Sequence, residues 1–222
     1  MQQVNSVCVC GAGTMGSGIA QVCAQAGLQT ILFDLNEPAL EKSKSNIAAA
    51  LKKLEEKGKL SGGDAASILQ RLRFTNNTND CVADVIIEAI IENKNAKTEL
   101  FKKLAALNNQ QTILATNTSS ISVTEIANEI PHPERVAGLH FFNPVPLMKL
   151  AEIVRAESSN DATVETLIHL TKLLNKLPVV CKDSPGFIVN RVARSYYLEA
   201  LKLVEEGEAT IEDIDAVLEA TG

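Results

Sequence analysis

The feature that most constrains this chain is an alternation. Short runs of β-branched and apolar residues recur between longer segments with helical spacing. Parallel strands cannot be joined by tight hairpins, because each return needs a crossover that a helix can supply. The pattern therefore predicts an α/β fold: a Rossmann-like, doubly wound, mostly parallel sheet. Strands are expected at 4–10, 30–34, 72–75, 85–88, 112–116, 136–141, 150–154 and 179–181. Helices are expected at 15–26, 38–57, 64–70, 95–106, 123–127 and 162–174.

Two stretches depart from this rhythm. The connection from Asp34 to Leu72 is longer than one crossover helix needs. It predicts a helical hairpin, about 37–71, turning at Ser61-Gly62-Gly63, with Ile47, Leu51 and Leu54 as its apolar stripe. After Ser184-Pro185-Gly186 the pattern becomes purely helical, with a long helix over 186–206. Thr210-x-x-Asp213 then resembles a capping box for one more helix. The expected organisation is a domain over 1–184 carrying the hairpin arm, followed by the first helices of an all-α region over 185–222.

Bulk properties exclude several classes. A net charge of −6 argues against a nucleic-acid binder, which needs a dominant basic surface. The most apolar run, 81–91, is too short to span a bilayer and carries Asp84 and Glu88. Five cysteines, an odd number in mostly apolar stretches, read as buried thiols of a reducing, cytoplasmic compartment. Cys8-x-Cys10 has no second Cys or His pair at ligand spacing, so no metal site is expected.

Gly11-Ala12-Gly13-Thr14-Met15-Gly16 follows an apolar strand and opens a helix. Gly11 permits the tight turn, Gly13 lets backbone approach a pyrophosphate, and Gly16 lets helix and strand pack closely. Thr14 and Met15 belong to the same turn, where free N–H groups and the helix dipole favour phosphate. Asp34 ends the next strand, placed to accept hydrogen bonds from the adenosine ribose and to repel a 2′-phosphate. No Arg follows it, so NAD is favoured over NADP, with a flavin as the competing cofactor.

His140 ends a predicted strand in Gly138-Leu139-His140-Phe141-Phe142-Asn143-Pro144, and Glu152 lies on the next strand across a proline-bearing loop. A strand-turn-strand return brings these side chains together. A carboxylate on one ring nitrogen fixes the tautomer, which leaves the other nitrogen for proton transfer. A structural histidine at a strand end is the competing reading, and His132 and His169 read as structural.

Four segments together carry a family resemblance: Gly11-Ala12-Gly13-Thr14-Met15-Gly16-Ser17-Gly18-Ile19-Ala20, Asn117-Thr118-Ser119-Ser120, His140-Phe141-Phe142-Asn143-Pro144, and Pro185-Gly186-Phe187-Ile188-Val189-Asn190-Arg191. In order and spacing the chain resembles the 3-hydroxyacyl-CoA dehydrogenase family, in particular its short 3-hydroxybutyryl-CoA type. The resemblance implies that His140 is the general acid/base with Glu152 as partner. It implies that Ser119 bonds the substrate beside the nicotinamide and that Asn190 helps hold the substrate. Glu92, Lys97 and Asn143 match cofactor-contacting positions, for which surface charges and a turn residue are the bland alternatives. Lys57, on the hairpin, matches a position that contacts CoA, with Lys52, Lys53 and Lys59 nearby, while Ala50 stands where the family can have serine. The implied partner is an acyl-CoA such as acetoacetyl-CoA or 3-hydroxybutyryl-CoA. The family continues into further helices that complete the second domain and commonly a homodimer, so that region is expected to be shortened here. A hydroxy-acid dehydrogenase for a non-CoA substrate and a non-catalytic dinucleotide-binding protein are the rival readings.

Overall fold

Side-chain alternation along the first strand shows how the sequence builds the sheet. In β1 (Ser6–Cys10), Val7 and Val9 enter one apolar cluster while Cys8 and Cys10 enter the opposite one. A strand apolar on both sides must be covered on both faces. The computed structural model, which describes residues 3–221, covers it with helices above and below.

The remaining strands are β2 (Gln29–Phe33), β3 (Leu72–Thr75), β4 (Val85–Glu88), β5 (Ile113–Thr116), β6 (Val136–Phe141), β7 (Leu150–Arg155) and β8 (Leu177–Lys182). They form one eight-stranded sheet in the order β3-β2-β1-β4-β5-β6-β7-β8. Among the described residues only the β6–β7 pairing is antiparallel. The chain runs outward from β1 to β3, then crosses back to β4 on the other side of β1. That reversal leaves a crevice at the carboxyl ends of β1 and β4, where open α/β sheets take ligands.

On one face lie α1 (Thr14–Gln25), α2 (Glu37–Glu56), α3 (Asp64–Gln70) and, further along the chain, α6 (Asp161–Leu173). Asn36 caps α2 by accepting from the Ala39 N–H, and Pro38 occupies its first turn. Ile47 and Leu51 are buried and Leu54 packs against the same cluster, so the predicted stripe faces the core. The hairpin reversal occupies 57–63, beginning four residues earlier than expected. Gly58 and Gly63 take left-handed backbone there, which lets α2 end soon after Glu56. The opposite face is covered by α4 (Lys94–Leu107) and α5 (Val123–Ala127), through Phe101, Leu104 and Ile126.

Two helices follow the sheet, α7 (Val189–Glu205) and α8 (Ile211–Thr221). Helix α7 begins three residues later than its apolar pattern suggests. Gly186 and Phe187 both have positive φ and cannot join an α-helix, and the Phe187 ring is buried beneath the sheet-facing turn. Thr210 and Asp213 exchange backbone-to-side-chain hydrogen bonds, the reciprocal arrangement expected of a capping box. Helix α7 has no buried residue, and Val192, Tyr197 and Leu201 are each more than 60 % exposed. No helix among the described residues is long and apolar enough to cross a membrane.

Candidate active site

The crevice begins with the glycine turn. Gly11 has φ +108°, and a Cβ there would lie 2.5 Å from the Ala89 carbonyl oxygen. A Cβ on Gly16 would lie 1.7 Å from the Gly11 oxygen, so the turn closes on its own backbone. Gly13 has nothing within 4 Å of where a Cβ would stand, which leaves open space over the α1 N-terminus. Asp34 ties the turn to the end of β2. One oxygen accepts the Ala12 N–H at 2.7 Å and the other accepts the Asn36 N–H at 2.9 Å. Its carboxylate borders a cavity of about 320 Å³ reaching from Gly11 to Leu100. These features fit NAD.

Beyond the turn, Met15, Ser119, His140, Asn143 and Asn190 border a second cavity of about 380 Å³. His140 and Glu152 are register partners in the antiparallel β6–β7 pair, which projects both side chains to the same face. The imidazole Nδ1 stands 2.8 Å from a Glu152 oxygen, and both residues are buried. Phe142 and Phe187 flank the ring. Nε2 has no hydrogen-bond partner among the described residues. The second Glu152 oxygen accepts the Ile188 and Val189 N–H groups at 3.0 and 2.9 Å. It thus caps α7, whose own N-cap residue, Ile188, has no side chain to do so.

Ser119 sits on the loop after β5, exposed to the cavity. It does not cap α5, a role taken by Ser122. Glu92 holds that loop by accepting from the Ser119 N–H and from the hydroxyls of Thr118 and Ser120. Asn190 reaches the same loop, its Nδ2 donating to the Ser119 carbonyl oxygen at 3.4 Å. Asn117 accepts the Phe141 N–H at 2.9 Å and so joins the loop to the His140 strand.

The surface-charge reading of Lys97 is corrected by the structure. Lys97 is 1 % exposed, with its ammonium 2.7 Å from Glu88 and 3.1 Å from Glu92. Glu88, fully buried at the end of β4, also accepts from the Thr116 hydroxyl and the Ile90 N–H, each at 2.7 Å. Both Glu88 oxygens thus accept hydrogen bonds, as a buried ion pair requires. Sequence reasoning missed Glu88, because nothing local indicates that a strand-end acid meets a lysine nine residues on.

Burial works against a charge on Glu92, but the Thr118 hydroxyl, Lys97 and the Ser119 N–H outweigh it and hold the carboxyl below its ordinary value of 4.5. A lowered folded pKa contributes stability that is present above that value and lost as pH falls through the folded pKa. Glu92→Gln is therefore expected to be less stable than the native chain above about pH 4.5, with the gap closing on further acidification. Urea midpoints across pH 3–7 check this; a gap constant with pH would assign the effect to packing instead.

A third cavity, about 460 Å³, lies between α1 and α2 and is bordered by Thr14, Lys42, Asn46, Ala50 and Asn143. Lys42, Asn46 and Ala50 recur at helical spacing on the face of α2 turned to the turn. Lys57, by contrast, is an exposed residue at the far end of α2 and borders none of these three cavities. Sequence reasoning did not single out Lys42, which carries no motif.

Comparison with known proteins agrees with this geometry. Residues 6–184 match the family described as 3-hydroxyacyl-CoA dehydrogenase, NAD binding domain, and residues 186–222 match its C-terminal domain. The chain is 43 % identical to the mitochondrial hydroxyacyl-coenzyme A dehydrogenase of Sus scrofa, over 97 % of this chain and 71 % of that protein. It is 48 % identical to the 3-hydroxyadipyl-CoA dehydrogenase of Escherichia coli, over 98 % of this chain but 46 % of that longer protein. The crystal structure of (S)-3-hydroxybutyryl-CoA dehydrogenase from Ralstonia eutropha superposes with a TM-score of 0.93 at 39 % identity, covering 96 % of this chain and 75 % of that one. A glycine turn made for NAD, a histidine and glutamate in register beside it, and matches along the chain lead to one conclusion: this chain belongs to the 3-hydroxyacyl-CoA dehydrogenase family.

Proposed function

We propose that this chain oxidises the C3 hydroxyl of a short 3-hydroxyacyl-CoA, or reduces the matching 3-ketoacyl-CoA, with His140 as general acid/base. The observation that carries the reading is the 2.8 Å His140–Glu152 pair at the wall of the cavity that also holds Met15 of the glycine turn. Bound NAD supplies the hydride acceptor. His140 takes the hydroxyl proton through Nε2, while Glu152 keeps the proton of Nδ1 in place and stabilises the imidazolium. Ser119 donates to the reacting oxygen from a loop that Glu92 and Asn190 hold still. Asp34 accepts from the adenosine ribose, and Asn143 borders both the His140 cavity and the one between α1 and α2. Lys42 borders the cavity between α1 and α2 and offers a cation to CoA phosphates, with Lys57 at the end of the same helix assigned to the more distant part of CoA.

The exposed apolar face of α7 supports a homodimer built through the helical region 185–222, set off from the NAD-binding domain over 1–184. Cysteines present as thiols are consistent with a cytoplasmic setting. In a test with NADH, kcat/KM for acetoacetyl-CoA is expected to exceed that for free acetoacetate by orders of magnitude, because remote CoA contacts are spent on orientation at C3. Equal values would move the reading to a non-CoA hydroxy acid. NADH binding without oxidation of either substrate would leave a non-catalytic dinucleotide-binding protein.

A further inference from the structure

Three thiols converge on the sheet face opposite α1. Cys8 and Cys10 stand two residues apart on β1, so strand alternation aims both at the same side, with their Sγ atoms 4.0 Å apart. Cys81 arrives from the turn that follows Thr78–Asp80, more than seventy residues along the chain. All three sulfurs lie within 4.8 Å of one another, and all three residues are fully buried. A single buried cysteine behaves as a small apolar residue. Three with their sulfurs in mutual reach, in a cluster otherwise made of residues such as Ile86, Phe101 and Leu104, form a ligand set.

We propose that Cys8, Cys10 and Cys81 form a three-thiolate site for a soft monovalent cation of the Cu+ type. The spacing suits it: metal–thiolate bonds of about 2.3 Å place three sulfurs about 4.0 Å apart around a trigonal centre. Cys8 and Cys10 already have that separation, and closing the remaining gap needs a modest movement of Cys81. Softness points the same way, since thiolates select Cu+ and Zn2+ over hard cations. Coordination number separates those two. Among the described residues no His, Asp or Glu joins the group, and the full burial of its members leaves no solvent face for a water. Zn2+ is left without its fourth ligand, whereas Cu+ needs none.

A site this buried admits a cation only when the turn that carries Cys81 opens. The Arg73–Asp80 ion pair, at 2.8 Å, sets one charge of each sign near Cys81. Each sulfur that ligates releases its proton, so uptake weakens as pH falls. Cys81 itself is carried by a surface turn, with Asn79 and Val82 exposed on either side.

The test uses the full chain, reduced and anaerobic, with Cu+ offered as its bicinchoninate complex. The expected result is withdrawal of one equivalent, with X-ray absorption showing sulfur-only coordination at about 2.3 Å. Cys10→Ser and Cys81→Ser are expected to hold Cu+ at least ~100-fold more weakly, since even outer contacts of a metal site are worth up to that factor. Cys23→Ser and Cys181→Ser are expected to match the native chain. NADH titration of each variant reports whether it is folded, and the absorption spectrum of the native protein needs no variant. Failure to withdraw Cu+ overturns the proposal. So does withdrawal that persists in folded Cys81→Ser or disappears in Cys23→Ser. Tighter binding of Zn2+ than of Cu+ overturns the trigonal assignment.

Discussion

His140→Gln is expected to lower kcat by about 10²–10⁴-fold while leaving NADH affinity close to that of the native chain. Glutamine keeps the polarity and roughly the reach of the imidazole, so Glu152 retains a donor and the β6–β7 register is undisturbed. What it loses is the second nitrogen, the group to which we assign proton exchange with the substrate oxygen. Asp34, Gly11 and Gly13, which shape the dinucleotide side, lie on other elements and are untouched. The two halves of the expectation are read separately, by single-turnover NADH oxidation and by NADH fluorescence titration. Native-like turnover would remove His140 from the chemistry. A parallel collapse of NADH affinity would mean that the substitution damaged the crevice and had not isolated the proton step.

Lys97→Met is expected to destabilise the chain by about 3–5 kcal/mol, the usual range for removing one partner of a buried ion pair. Glu88 would remain at zero exposure with its charge uncompensated and only the Thr116 hydroxyl and the Ile90 N–H to satisfy it. Adding Glu88→Gln is expected to recover much of the loss, because a neutral amide tolerates the same hole. Urea unfolding of the two single variants and the double variant gives the coupling directly. A Lys97→Met cost within about 0.5 kcal/mol, typical of a surface change, would rule out an ion pair held as described. Activity carries a second reading. Lys97 also steadies Glu92, which steadies Ser119, so the stable double variant should still turn over more slowly than the native chain.

Much of this architecture was legible in the sequence because it rests on local periodicity. The bounds of β3, β4, β6, α3 and α5 match the expected ones, since each is a short apolar run closed by turn residues or a polar cap. The glycine turn and the pairing of His140 with Glu152 were readable for the same reason, from a motif and a strand-turn-strand return. What escaped was tertiary meeting. Lys97 looks like any lysine on a polar helix face until β4 presents Glu88 beneath it. Cys81 has no cysteine or histidine neighbour in sequence, and only the fold sets it against Cys8 and Cys10. The late start of α7 escaped too, because the apolar pattern continues through 186–188 while backbone at Gly186 and Phe187 is left-handed.

Glu152 divides its two oxygens between unlike neighbours, the imidazole of His140 and the first free amides of α7. The aim of the ring and the angle at which the helical region leaves the sheet therefore share one carboxylate. If α7 swings away, that carboxylate is released on one side and is free to turn, and the imidazole loses the support that sets its tautomer. On the proposed role of His140, docking of the helices and orientation of the base would then be a single event, and a cleft that stands open would be chemically at rest.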